Sequence, residues 1–182
     1  MLTTKRLALL IFLSGASFTL AQAPLWLDVP FVKQPLEGCG AASIAMVMQY
    51  WDQHQKLRPG EHSDVAHIQQ ALYSKQAHGI YASDLQQYLK SRGYATYVVQ
   101  GDQALLAQHI ERGRPLIVAL RPASDRALHY VVVAGIDPEH KMVLVNDPAQ
   151  RKLMKVDAAG FNKEWQPTGN WTLLAVPQSS AP

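Results

Sequence analysis

The chain has almost no cysteine: Cys39 is the one thiol in 182 residues. A lone cysteine cannot close an internal disulfide. It is therefore an intermolecular linker, an inert buried group or a reactive thiol. Blocks of like charge are missing as well. Charged residues make up 17% of the chain and no run of one sign occurs, so neither nucleic acid nor an anionic membrane is indicated as partner. There is no internal repeat and no low-complexity linker. The phosphate-binding pattern Gly-Lys-Ser/Thr is absent. No two histidines form a convincing metal pair: His62 and His67 are five residues apart, which does not place them on one helix face as an i, i+4 pair would be.

What is present begins at the N-terminus. Lys5 and Arg6 precede an unbroken apolar run over residues 7–13 that stays mostly apolar to Leu20, and Ala21-Gln22-Ala23 follows as a small-x-small site. That order is a secretory signal peptide, and the run is short for a transmembrane anchor. Residues 1–23 are expected to be removed. Residues 24–182 are expected to form one domain, exported through the inner membrane to the periplasm or beyond, with no stable membrane anchor. Without Lys5 and Arg6 the 17 basic and 14 acidic residues become 15 and 14, a net charge of +1.

Along the mature chain, residues 24–34 read as extended. Residues 39–51 are apolar nearly all round, the pattern of a helix buried on every side. A loop is expected over 57–63 and an amphipathic helix over 64–73. A further helix should begin at Ser83, with Gln86 as capping-box partner and Gly93 as its stop. Residues 94–99 read as a strand, and Asp102 should cap a helix running to Arg112 and Gly113. Residues 116–120, 130–136, 142–145 and 171–176 are β-rich. Helices first and strands later predict an α+β domain with the Cys39 helix packed on an antiparallel sheet.

Cys39 stands where a glycine-flanked loop enters that buried helix. Unpaired N–H groups and partial positive charge at a helix N-terminus favour a thiolate, which is the nucleophilic form. Gly38 and Gly40 are expected to leave the sulfur open to a substrate. Of seven histidines, six lie in polar contexts and read as surface residues. His129 differs, because it opens the apolar run Tyr130-Val131-Val132-Val133 and needs a partner or a task. If Ile136 pairs with His140 across the turn that follows, Asp147 falls opposite His129, where it would orient the imidazole. Asn146 could take that part instead, and Asn-Asp-Pro is also an ordinary turn sequence. Gln34, five residues before Cys39, could donate to an oxyanion together with the Cys39 N–H.

These segments resemble the papain-like cysteine peptidases related to the bacterial double-glycine leader (bacteriocin-processing) peptidases. The resemblance is carried by Val29-Pro30-Phe31-Val32-Lys33-Gln34, Cys39-Gly40-Ala41-Ala42-Ser43, His129 through Gly135, and Val145-Asn146-Asp147-Pro148. It implies Cys39 as nucleophile, His129 as base, Asp147 as orienting acid and Gln34 at the oxyanion hole, with a peptide or protein substrate and no metal or cofactor. The Gln-to-Cys spacing is one residue shorter than in the transporter-attached members and closer to stand-alone relatives. A monomeric peptidase is the expectation. The alternatives are a non-hydrolytic peptide-binding member of the fold that assists export or processing of another protein, and thiol-based acyl transfer. The cleft rim is expected at residues 79–83 and 61–67.

Overall fold

A computed structural model describes residues 23–56, 60–123 and 127–178. The expected signal peptide, apart from Ala23, and residues 57–59 of the expected 57–63 loop lie outside them.

The chain enters through a two-residue strand, β1 (Leu25–Trp26), and then forms α1 (Cys39–His54). Every residue of α1 from Gly40 to Met48 is buried, as its all-round apolar sequence requires. Long-range bonds seat it: Tyr50 donates to the Gly113 carbonyl at 2.8 Å and the Trp51 indole to the Ala175 carbonyl at 3.0 Å. Next come α2 (Val65–Leu72) and α3 (Ala82–Ser91). Asp64 caps α2 by accepting from Ala66 N and His67 N. The capping box expected at Ser83 does not form. The helix starts at Ala82, which puts Ser83 inside its first turn, where the hydroxyl bonds Asp84 Oδ1 at 3.2 Å. Gly93 ends the helix in left-handed backbone, φ +82°.

β2 (Tyr94–Gln100) leads to α4 (Gln103–Glu111), capped by Asp102 through Leu105 N at 2.7 Å. The strands β3 (Leu116–Leu120), β4 (His129–Asp137) and β5 (Met142–Asn146) follow. Two elements were not anticipated: β6 (Met154–Asp157) and α5 (Ala158–Trp165). Asp157 caps α5 through Gly160 N, and Phe161 and Trp165, one turn apart, are buried. β7 (Trp171–Pro177) closes the sheet, whose order is β2-β7-β3-β4-β5-β6, with β1 paired to the far end of β4. Every pairing is antiparallel. The α+β expectation holds. Ile117, Tyr130, Val132 and Leu173 face α1, while Val118, Val131, Val145 and Leu174 pack with α4 and α5.

The hairpin register differs from the expected one. β4 runs on through Asp137, so Asp137 pairs with Met142 and Ile136 with Val143, not His140. The Asp137 carboxylate accepts from His140 N, which sets the turn at residues 138–141. A bulge at Ala134 then shifts the pairing to Val133–Val145 and Val132–Asn146. The freed Ala134 carbonyl takes a 2.7 Å bond from Leu27 N. Beside it, β1 crosses so close to Gly135 that a Cβ there would stand 2.7 Å from the Leu25 carbonyl. His129 is thus left beyond the end of β5, opposite Leu120 of β3.

Candidate active site

Cys39 is the first residue of α1 and is half-buried. No side chain caps that helix; Gly38 is its N-cap, and the Gly38 carbonyl accepts from Ala42 N at 3.0 Å. The flanking glycines act differently from the expectation. A Cβ on Gly38 would lie 2.5 Å from the Pro35 ring, and one on Gly40 3.2 Å from Ile80. Both let the protein's own chain pack closely around the nucleophile position rather than clear space for a substrate.

His129 and Asp147 meet although the register does not set them opposite each other. β5 stops at Asn146, and the next residue opens a turn: Gln150 N donates to the Asp147 carbonyl at 2.9 Å, and Asp147 N donates to the Arg151 carbonyl at 3.1 Å. The turn swings the carboxylate to His129, whose Nε2 lies 2.8 Å from Asp147 Oδ1. Ala149 N at 2.9 Å and the Gln150 amide at 2.6 Å complete the carboxylate's shell. Asp147 is therefore both the turn residue and the imidazole's partner. Asn146 points away, donating to the Val29 carbonyl at 3.1 Å and accepting from Leu153 N at 2.9 Å, so it ties three segments together and does not reach His129.

The electrostatics follow from these contacts. Burial alone would lower the His129 pKa, but hydrogen bonding to Asp147 and to Cys39, with the charges of both, outweighs it and pushes the value up to about 10. Burial alone would raise Asp147, but its bonds to His129, Ala149 N and Gln150 hold it below the ordinary carboxylate range. A carboxylate only accepts, so Nε2 carries a proton and Nδ1 is the nitrogen left for the sulfur.

Gln34 is tied to the same turn, its N–H donating to the Pro148 carbonyl at 3.0 Å. Its side chain lies in the cleft with Cys39, and its buried Oε1 has no hydrogen-bond partner among the described residues. The cleft holds about 1080 Å³. Gln34, Glu37, Cys39, His129 and Asp147 line one end, and Leu120, Val131, Met154 and Phe161 extend it as an apolar floor. Neither segment expected at the rim lines it; Ala77 and His78 do. The apolar end escaped sequence reading because Met154 and Phe161 sit on β6 and α5. The Phe161–Trp165 spacing behind an Asp was the available signal. Three of the six histidines read as surface residues, His62, His67 and His109, are in fact half-buried, and His109 has an Nδ1 with no partner among the described residues and a pKa lowered by burial and by Arg114 and Arg112.

A buried helix bearing Cys39 against an antiparallel sheet bearing His129 defines a papain-like arrangement. Residues 26–173 match the model of the Peptidase_C39 like family, and the chain belongs to that family. Solved structures share the fold. The peptidase domain of Streptococcus ComA, a bi-functional ABC transporter involved in quorum sensing, is 23% identical over 82% of this chain and 99% of that one, with a TM-score of 0.64. A double-glycine-motif protease from an AMS/PCAT transporter, bound to its leader peptide, is 21% identical over 85% and 98%, with a TM-score of 0.62. A Bacillus anthracis protein described as C39-like is 19% identical over 87% and 100%, with a TM-score of 0.61. No curated protein matches the chain.

Proposed function

We propose that the protein is an exported cysteine peptidase acting through Cys39, His129 and Asp147. One observation carries the reading: His129 is bonded through Nε2 to a buried carboxylate while its protonated form is stabilised by the Cys39 sulfur. That is a base oriented by a third group and facing a thiol. Cys39 Sγ attacks the peptide carbonyl carbon, and its proton resides on His129 Nδ1. The Gln34 side chain and the Cys39 N–H hold the oxyanion. The C–N bond then breaks, the amine departs with the His129 proton, and a thioester remains. Water, deprotonated by His129, attacks the thioester and releases the carboxylate and the thiol. A peptide substrate is supported by the family and by the relative crystallised with a leader peptide. Export is supported by the pattern of residues 1–23, and N-terminal sequencing of protein from the native host should begin at Pro24.

The test is hydrolysis of a quenched-fluorescent peptide library by the wild type and by Cys39→Ala and His129→Ala. Both variants should be inactive; undiminished cleavage by either refutes the mechanism.

A further inference from the structure

The turn joining Gln34 to Cys39 is held from outside through the Glu37 side chain and, at 3.4 Å, by the Gln69 amide donating to the Leu36 carbonyl. Residues 35–38 close through Gly38 N donating to the Pro35 carbonyl at 3.0 Å, and this leaves Glu37 at φ +54°. A residue bearing a Cβ enters that left-handed region only at a cost, so other contacts must fix it there. The contacts of the Glu37 carboxylate run to a single neighbouring segment. The phenol of Tyr73, just after α2, donates to Glu37 Oε2, and His78 Nδ1 lies 3.0 Å from Oε1. His78 is itself at φ +50°, in a loop pinned by Ser74 N to the Gly79 carbonyl at 2.8 Å. A Cβ on Gly79 would meet the Glu37 carbonyl at 3.6 Å, so the loop lies directly against the turn. The two bonds hold the Glu37 carboxyl below its ordinary range and raise the Tyr73 phenol. Glu37 and His78 line the cleft beside Cys39, yet neither belongs to the Cys39–His129–Asp147 arrangement.

We propose that Glu37 is a positioning residue for the thiol chemistry, its carboxylate clamping the Gln34–Cys39 turn to the 74–79 loop and so fixing the sulfur and the oxyanion donors together. The inference rests on the peptidase reading above. It assigns Tyr73 and His78 as the clamp's second half.

Glu37→Gly is the cleanest probe, because it keeps the left-handed backbone at no steric cost while removing the side chain that carries the carboxylate. With the best peptide from the library, Glu37→Gly should lower kcat by about tenfold to a hundredfold, the scale expected for misplacing reacting groups, with little change in KM and an unchanged Tm. Tyr73→Phe should lower kcat in the same sense but less, and should add nothing to Glu37→Gly. Glu37→Gln, whose amide can accept from Tyr73 and donate to His78, should restore most of the rate. If kcat in Glu37→Gly and Tyr73→Phe stays within about twofold of wild type, well below that scale, or if Glu37→Gln fails to restore it, the clamp is overturned. Should Glu37→Gly fail to fold, Tyr73→Phe and His78→Asn decide by the same criterion. A wild type with no Cys39-dependent cleavage refutes the peptidase reading instead. In that case iodoacetamide labelling of Cys39 decides the clamp: slower labelling in Tyr73→Phe supports it, and an unchanged rate overturns it.

Discussion

On the sheet side of the cleft, His129, Asp147 and Gln150 are bonded to one another; on the helix side, Glu37 apart, the groups at the nucleophile position lack such side-chain partners. Asp147 accepts from His129, Ala149 N and Gln150, and its own N–H is taken by Arg151. Across the cleft, the start of α1 has no capping side chain and the Gln34 Oε1 has no partner among the described residues. The difference matches the two tasks of acyl chemistry. A proton must be held and returned along a fixed path, which calls for a saturated network. Charge that develops only in the transition state calls for donors placed beforehand, the part proposed for the Cys39 N–H and the Gln34 side-chain N–H, Oε1 being an acceptor.

Substitutions on the two walls should therefore fail in different ways. The largest effect belongs to the groups that face each other across the cleft. Cys39→Ala and His129→Ala should each reduce kcat by roughly 10⁴ or more, and the double variant should be little worse, since the two act as a unit. Next is a contrast between adjacent residues. Asp147→Asn keeps an acceptor for His129 and Ala149 N but no longer stabilises the imidazolium, so kcat should fall by roughly 10²–10⁴ while the fold survives. Asn146→Ala should do the reverse, costing about 1–3 kcal/mol of stability for the orphaned Leu153 N and Val29 carbonyl while leaving turnover per folded molecule near wild type. Urea denaturation and active-site titration separate the two. Gln34→Ala should lower kcat by roughly 10²–10³ with no loss of stability, as fits a side chain that holds up nothing else.

A smaller effect concerns pH. His129 is raised from 6.5 to about 10, so the stability it contributes through Asp147 and Cys39 is complete below pH 6.5 and is lost as pH rises towards 10. Asp147 is lowered from 3.8, so its contribution is present above that value and is lost as pH falls below it. Denaturation midpoints should decline on the alkaline side in the wild type, and that decline should flatten in His129→Gln. The smallest effect lies outside the cleft. Asp102→Ala should cost about 1 kcal/mol for a lost helix cap, whereas Ser83→Ala, where no cap forms, should stay within about 0.5 kcal/mol.

That last pair shows where sequence reading succeeded and where it failed. Local chemistry was legible: the all-round apolar α1, the caps at Asp64 and Asp102, and the stops at Gly93 and Gly113 follow from short-range rules. So was the gathering of Gln34, Cys39, His129 and Asp147 at one cleft. The route by which His129 and Asp147 meet was not. The expected register omitted the extension of β4 through Asp137 and the bulge at Ala134, which lies where β1 crosses Gly135, a contact between residues far apart in the chain. The turn at Asp147 brings the two side chains together despite the different register. β6 and α5 were missed because Met154 and Val156 alternate over only four residues, and α5 is held chiefly by Phe161 and Trp165.

The central claim is that Cys39 and His129 form one reactive unit, and the rate of Cys39 alkylation by iodoacetamide near pH 6 tests it most directly. The account predicts rapid labelling of the wild type, where an ordinary thiol reacts very slowly, and a fall to the rate of an ordinary thiol in His129→Ala. Slow labelling of the wild type, or a rate that His129→Ala leaves unchanged, would contradict it.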